Sequence, residues 1–126
     1  MRKQKVYLAG GMHSDWREKI RTLQNVEFID PKEKEVKRKF ELQEYGTWDL
    51  NYIKQCDICF VYMEATNPSG FGLAVEAGYA KGKDKTVILV LETGHEKDRY
   101  LQFLRKVSDA TYDNLDEGID FLSSFI

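Results

Sequence analysis

The chain has 126 residues and a mass of 14.7 kDa; 42% are hydrophobic, 32% charged, and 21 acidic residues face 19 basic ones for a net charge of -2. That length suits a single domain, 1–126, with a core that needs no disulfide or metal staple. Near charge balance argues against a nucleic-acid polymer as partner, and no apolar run approaches a membrane span. The opening Met1–Lys5 leads into a strand-like run without a signal-peptide core, so a cytoplasmic protein is expected.

In chain order, short β-branched and aromatic runs at Lys5–Ala9, Val26–Ile29, Ile58–Met63, Thr86–Leu91 and Ala110–Tyr112 read as strands. Each is followed by a stretch with helical spacing, giving βαβαβαβαβα. Such alternation predicts an α/β protein with parallel strands joined by right-handed crossovers and helices on both faces. The expected form is a flavodoxin-like, doubly wound sheet of five strands in the order 2-1-3-4-5. Lys32–Lys39 is a charged stretch that reads as a solvated loop and helix start. No repeat, low-complexity tract or linker interrupts the pattern.

Ligands of such sheets bind beyond the carboxyl ends of the strands, where strand order reverses. That rule selects Gly10-Gly11-Met12-His13-Ser14 after the first strand, Asp30-Pro31 after the second and Glu64 to Gly70 after the third. The glycines permit close backbone approach. Asn67-Pro68 or Ser69-Gly70 suits a helix start whose free N–H groups hold an anion or a hydroxyl.

Two carboxylates stand where the pattern asks for apolar side chains. Asp49 completes a helical stripe of Tyr45, Trp48, Tyr52, Ile53 and Cys56, which turns it toward the sheet. With the helix ending near Cys56 at the amino edge, Asp49 lies about 10 Å back toward the ligand edge. An Asp bonded to backbone groups, or turned outward by helix drift, fits the same pattern. Glu76 is flanked at three- and four-residue spacing by Gly72, Leu73, Tyr79 and Ala80, with Gly72 leaving open space over the carboxylate. A Glu on the solvated edge of a helix is the plainer alternative. Ionised carboxylates are costly to desolvate, so both are expected in one polar pocket.

Other signals are weaker. Cys56 and Cys59 form C-x-x-C, but residues three apart on a strand point to opposite faces, so the expectation is two buried, diverging thiols. Gly70-Phe71-Gly72 follows the third strand rather than the first, which excludes a dinucleotide fingerprint. There is no P-loop, and His13 and His95 are too isolated for a zinc site.

Taken together, the motifs resemble those of the nucleoside 2-deoxyribosyltransferases and their relatives, the 2'-deoxynucleoside 5'-phosphate N-hydrolases. Val6–Gly11 is similar to the family's opening strand and glycine turn, with Tyr7 at its tyrosine. Trp48–Asp57 is similar to the helix that carries an acidic residue eight positions ahead of a strand-starting Asp, and Gly72–Ala80 to the nucleophile helix.

The resemblance implies a double displacement: Glu76, kept ionised by a polar setting, attacks the anomeric carbon, Asp49 shuttles the proton of the base, and Tyr7 orients Glu76. Gly10, Gly11, Met12, Asn67, Ser69 and Gly72 would line the substrate site, with Ser69 and Asn67 on the sugar or its 5' substituent. It further implies a nucleoside or nucleotide and a free nucleobase as partners, no metal or organic cofactor, and a homo-oligomer.

The N-hydrolases carry an Arg in the first glycine turn, absent here. In the family a neighbouring subunit contributes an Asn or Met near the 5' group. That place falls at Leu101 within Arg99–Phe103, leaving Gln102 or Tyr100 as substitutes. The reading stands or falls on both acids converging on one sugar–base linkage; separate cavities, or one acid locked in a salt bridge, would leave the reaction without its machinery.

Overall fold

The structure is a computed structural model and describes residues 2–35, 37–68 and 70–126. Five strands, β1 (Gln4–Gly10), β2 (Val26–Ile29), β3 (Ile58–Met63), β4 (Thr86–Leu91) and β5 (Ala110–Tyr112), form one parallel sheet in the order β2-β1-β3-β4-β5. This is the expected flavodoxin-like arrangement. Strands β3 and β4 are almost wholly buried, which explains their unbroken apolar runs: a strand covered on both faces has no solvent side to mark by alternation.

Five helices connect or follow the strands: α1 (Trp16–Ile20), α2 (Leu42–Gln55), α3 (Phe71–Gly82), α4 (Gln102–Val107) and α5 (Leu115–Ser123). Alternate strand residues separate two core layers. Tyr7, Ala9, Cys59, Val61, Val87 and Leu89 pack toward α2, α3 and α4, while Val6, Leu8, Phe60, Ile88 and Val90 pack toward α1 and α5. The hydrophobic effect on both faces fixes register, because a slip by one residue would exchange the layers.

Two local expectations change. The strand begins at Ile58, so Cys56 belongs to the end of α2 rather than to the strand, and the alternation rule does not apply to it. Both thiols therefore lie in the same core layer; they are free and buried, as expected, but not divergent. Burial pushes Cys56 up to about 11 and Cys59 well above its ordinary range, so both are inert thiols. Within Lys32–Lys39, Lys34 is not solvated: only 9% of its side chain is exposed.

Candidate active site

Helix α3 begins at Gly70, whose φ of 79° and lack of room for a Cβ beside Met63 both demand glycine. Leu73, Ala77 and Ala80 press its inner stripe onto the sheet. Glu76 lies at the edge of that stripe, half-buried. Tyr7, fully buried on β1, donates its phenolic hydrogen bond to Glu76 Oε2 at 2.5 Å. Because β1 is paired with both β2 and β3, the tyrosine is fixed by the interior of the sheet.

Burial raises the Glu76 carboxyl to about 7; the Tyr7 hydrogen bond opposes this, Asp49 adds to it, and the charges of Lys34 and Arg17 pull it back. The polar setting expected from the sequence is thus a desolvated one, tempered by a single strong donor. Burial, then the negative charge of Glu76 and the hydrogen bond to it, hold the Tyr7 phenol far above its ordinary range, so it remains a donor.

The second carboxylate comes from α2, which turns Ile53 fully inward and leaves Tyr45, Trp48, Asp49 and Tyr52 half-buried along the same stripe. Asp49 is close enough for its charge to act on both Glu76 and Tyr7, so the two acids share one electrostatic neighbourhood. It is also ion-paired: Lys34 Nζ donates to Asp49 Oδ1 at 2.7 Å. This is the arrangement the sequence reading counted against itself, and a free Asp49 is therefore corrected to a Lys34–Asp49 pair. The ammonium lies 4.8 Å from the Tyr45 ring centre and 5.7 Å from that of Trp48.

The loops beyond the strands supply two neighbouring cavities. One, of about 390 Å³, runs between the turn after β1 and the loop after β3, lined by Gly11, Met12, His13, Ser14, Glu64 and Asn67 among others. The other, of about 410 Å³, is lined by Met12, Lys34, Glu35 and Tyr45 with Pro31 and Lys32. Met12 is common to both and 38% exposed. Of the glycines expected at the substrate, Gly11 faces Glu64 and Asn67, and nothing crowds the position of a Cβ at Gly72. Gly10 is explained by packing instead: a Cβ there would overlap the Trp16 ring. Ser69 lies outside the described residues.

Two residues beside these loops, Arg17 and Lys34, went unmarked in the sequence, and Glu64 was marked only as the start of a loop. Arg17 is buried, with Nε on Asp30 Oδ1 at 2.7 Å and Nη1 on the Gly11 carbonyl at 2.7 Å, so the arginine missing from the glycine turn is found beneath it, in α1. Its place between the core residues Trp16 and Ile20 was the available signal. Glu64 accepts from Ser14 Oγ at 2.8 Å and faces the first cavity. Lys34 carried no signal, being one of several lysines in an aperiodic stretch.

In the Arg99–Phe103 segment Leu101 is buried, Gln102 bonds Asp98, and Tyr100 is exposed. Among the described residues no group of three or more His, Cys, Asp or Glu could hold a metal ion, and no helix is long and apolar enough to cross a membrane.

The family model described as "Nucleoside 2-deoxyribosyltransferase like" matches residues 3–94, which include β1 through β4 with Tyr7, Asp49 and Glu76. Among solved structures the chain is similar to the Clostridium botulinum CMP N-glycosidase BcmB, at 22% identity and a TM-score of 0.64, covering 98% of this chain and 100% of that one. It is also similar to BlsM, known from a solution structure, at 19% identity and a TM-score of 0.64, with 98% and 86% covered. At these identities the likeness speaks for the fold. No curated protein matches.

Proposed function

From the premise that this chain belongs to the nucleoside 2-deoxyribosyltransferase-like family, whose members are enzymes acting on nucleosides or nucleotides, we propose that it exchanges nucleobases on 2'-deoxyribose through a covalent glycosyl-Glu76 intermediate. The observation that carries this reading is the Tyr7–Glu76 hydrogen bond at 2.5 Å with the Asp49 charge acting on both groups. One oxygen of Glu76 is held by the phenol while the other remains for attack on the anomeric carbon. As the C1'–O bond to Glu76 forms, the C1'–N bond breaks and the base leaves with its electron pair, taking up a proton from the Asp49 side. A second base reverses these steps. None of them calls for a metal or an organic cofactor.

Hydrolysis is the second reading, favoured by the likeness to a protein named as a CMP N-glycosidase. Water would then resolve the glycosyl-enzyme in place of the second base. The 5' end of the substrate separates further. Glu64 is a charged wall of the cavity between the β1 and β3 loops, and Arg17 is occupied by Asp30 and the glycine turn. A dianionic phosphate in that cavity would meet a carboxylate, with His13 as the nearby imidazole; a 5'-hydroxyl can donate to it. The proposed donor is therefore the nucleoside rather than its 5'-phosphate.

We also propose a homo-oligomer assembled through α3, α4 and the turn Asp98–Leu101 that precedes α4, where Phe71, Val75, Tyr100 and Phe103 are 69%, 62%, 76% and 80% exposed. A second copy of the chain covering this face would enclose the helix that carries Glu76. Its substrates being metabolites of the cell interior, the proposal includes a cytoplasmic location and a part in nucleobase salvage.

Incubation of a deoxynucleoside with a different free base tests the reaction. Formation of the exchanged deoxynucleoside is expected. Release of base and deoxyribose alone would favour hydrolysis, and a strict requirement for a 5'-phosphate would overturn the argument from Glu64.

A further inference from the structure

An ion pair is a poor proton donor if only its carboxylate is considered, because the proton is on its partner. In the second cavity that partner is Lys34, and three observations set it apart from an ordinary surface lysine. Its side chain is 9% exposed, its ammonium is 2.7 Å from Asp49 Oδ1, and two aromatic rings wall it in. Desolvating both charges is expensive, and a pair of this kind commonly adds little stability over an apolar replacement. A nearly buried lysine that lines a cavity and is bonded to an acid whose charge acts on Glu76 points to chemistry.

We propose that Lys34 and Asp49 act as one acid, with Lys34 holding the proton that the departing nucleobase takes up. The inference rests on the N-glycosidic reading above and assigns its proton. In the first half-reaction the Glu76 carboxylate bonds to C1', the C1'–N electron pair passes to the base, and the base nitrogen receives one proton from the pair. Lys34 is left as a neutral amine beside the Asp49 carboxylate. In the second half-reaction the incoming base, or water, gives its proton back to the pair as it bonds to C1' and the bond to Glu76 breaks. Nothing is oxidised or reduced, and the enzyme is returned unchanged.

Asp49 fixes the ammonium, and the Tyr45 and Trp48 rings lie close to it. As the base leaves, the electron pair it carries away appears next to the only buried ammonium in this part of the site among the described residues. Proton transfer and charge compensation then occur in one place. Tyr45 and Met12, which line this cavity, offer flat and deformable apolar surface for a nucleobase.

The test compares two leaving groups in full-length protein carrying Lys34→Met or Lys34→Arg. Natural deoxyguanosine needs a proton on its departing base; 7-methyl-2'-deoxyguanosine, whose base leaves as a neutral molecule, does not. Lys34→Met is expected to slow kcat for deoxyguanosine by about 100-fold or more relative to its effect on the methylated donor, on which only the loss of the Lys34 charge felt at Glu76 acts. Lys34→Arg keeps the positive charge and the ion pair, but its guanidinium does not give up a proton, so the same selective loss is expected.

Equal slowing of both donors by both variants would overturn the proposal in favour of a packing role, and so would full activity of Lys34→Arg on deoxyguanosine. Unchanged activity of Lys34→Met on both donors would do the same. If the wild-type protein cleaves no purine or pyrimidine deoxynucleoside, with or without a 5'-phosphate, the N-glycosidic reading itself fails, an outcome separate from all of these.

Discussion

Glu76 is asked to be both accessible as a nucleophile and half-buried behind Tyr7, and the two demands meet in its titration. Tyr7, Asp49, Lys34 and Arg17 are the groups whose hydrogen bonds or charges are felt there. With the folded carboxyl at about 7 and an unfolded glutamate near 4.3, the folded protein holds the extra proton between those values. The stabilising contribution is therefore complete below about pH 4.3 and is lost as pH rises through 7, by an amount on the order of 2 kcal/mol once partial exposure is allowed for.

Activity runs the other way, since only the ionised form attacks, and should climb through pH 7. Glu76→Gln is expected to lose at least about 1000-fold in turnover and to remove most of the pH 5 to 8 decline in thermal stability. Melting curves at several pH values with matched rate measurements check both; an unaltered slope in the variant would refute the raised carboxyl. Glu76 and Asp49 were legible because a carboxylate in an apolar stripe breaks the period that a helix imposes. Tyr7 was not, since a tyrosine in a buried strand breaks nothing, and its role came through the family resemblance alone. Lys34 meets Asp49 from 15 positions earlier in the chain, before α2 begins, where no periodicity reports proximity.

At the level of elements, the turn after β1 is held by α1 from below. Arg17 joins the Gly11 carbonyl to Asp30 at the end of β2, and Arg21 joins the same aspartate at 2.9 Å. Burial raises the Asp30 carboxyl, but the Lys32 N–H with Arg21 and Arg17 outweighs it and keeps the group below the usual carboxylate range. Removing one member of a buried pair strands the other charge. Arg17→Met is thus expected to destabilise the fold by about 3–5 kcal/mol in urea denaturation, and a loss below about 1 kcal/mol would contradict the clamp.

Strand order and nearly every strand boundary were readable from sequence, because parallel strands covered on both faces are continuous apolar runs bounded by turns. β1 runs one residue longer at each end than expected. Cys56 was misjudged for the complementary reason: helix end and strand start lie so close that the period changes within two residues.

Across the whole molecule, the apolar residues left outside the two core layers concentrate on the α3–α4 side, next to the proposed nucleophile. If a second copy covers that face, Phe103→Glu should shift the protein to a monomer in sedimentation velocity and lower exchange activity by about tenfold or more, because it would place a charge in the interface. A wild-type monomer with full activity would dismiss the oligomer.

The placing of Tyr7 on a strand paired on both sides has one more outcome. Amide protons in β1 should be among the last to swap with deuterium, whereas Lys34 closes the short turn Pro31–Glu33 and is tied to α2 through its side chain. Thermal breathing would then unlatch the proton donor while the phenol–carboxylate clasp stays shut, so that gentle warming silences turnover well before the sheet itself opens.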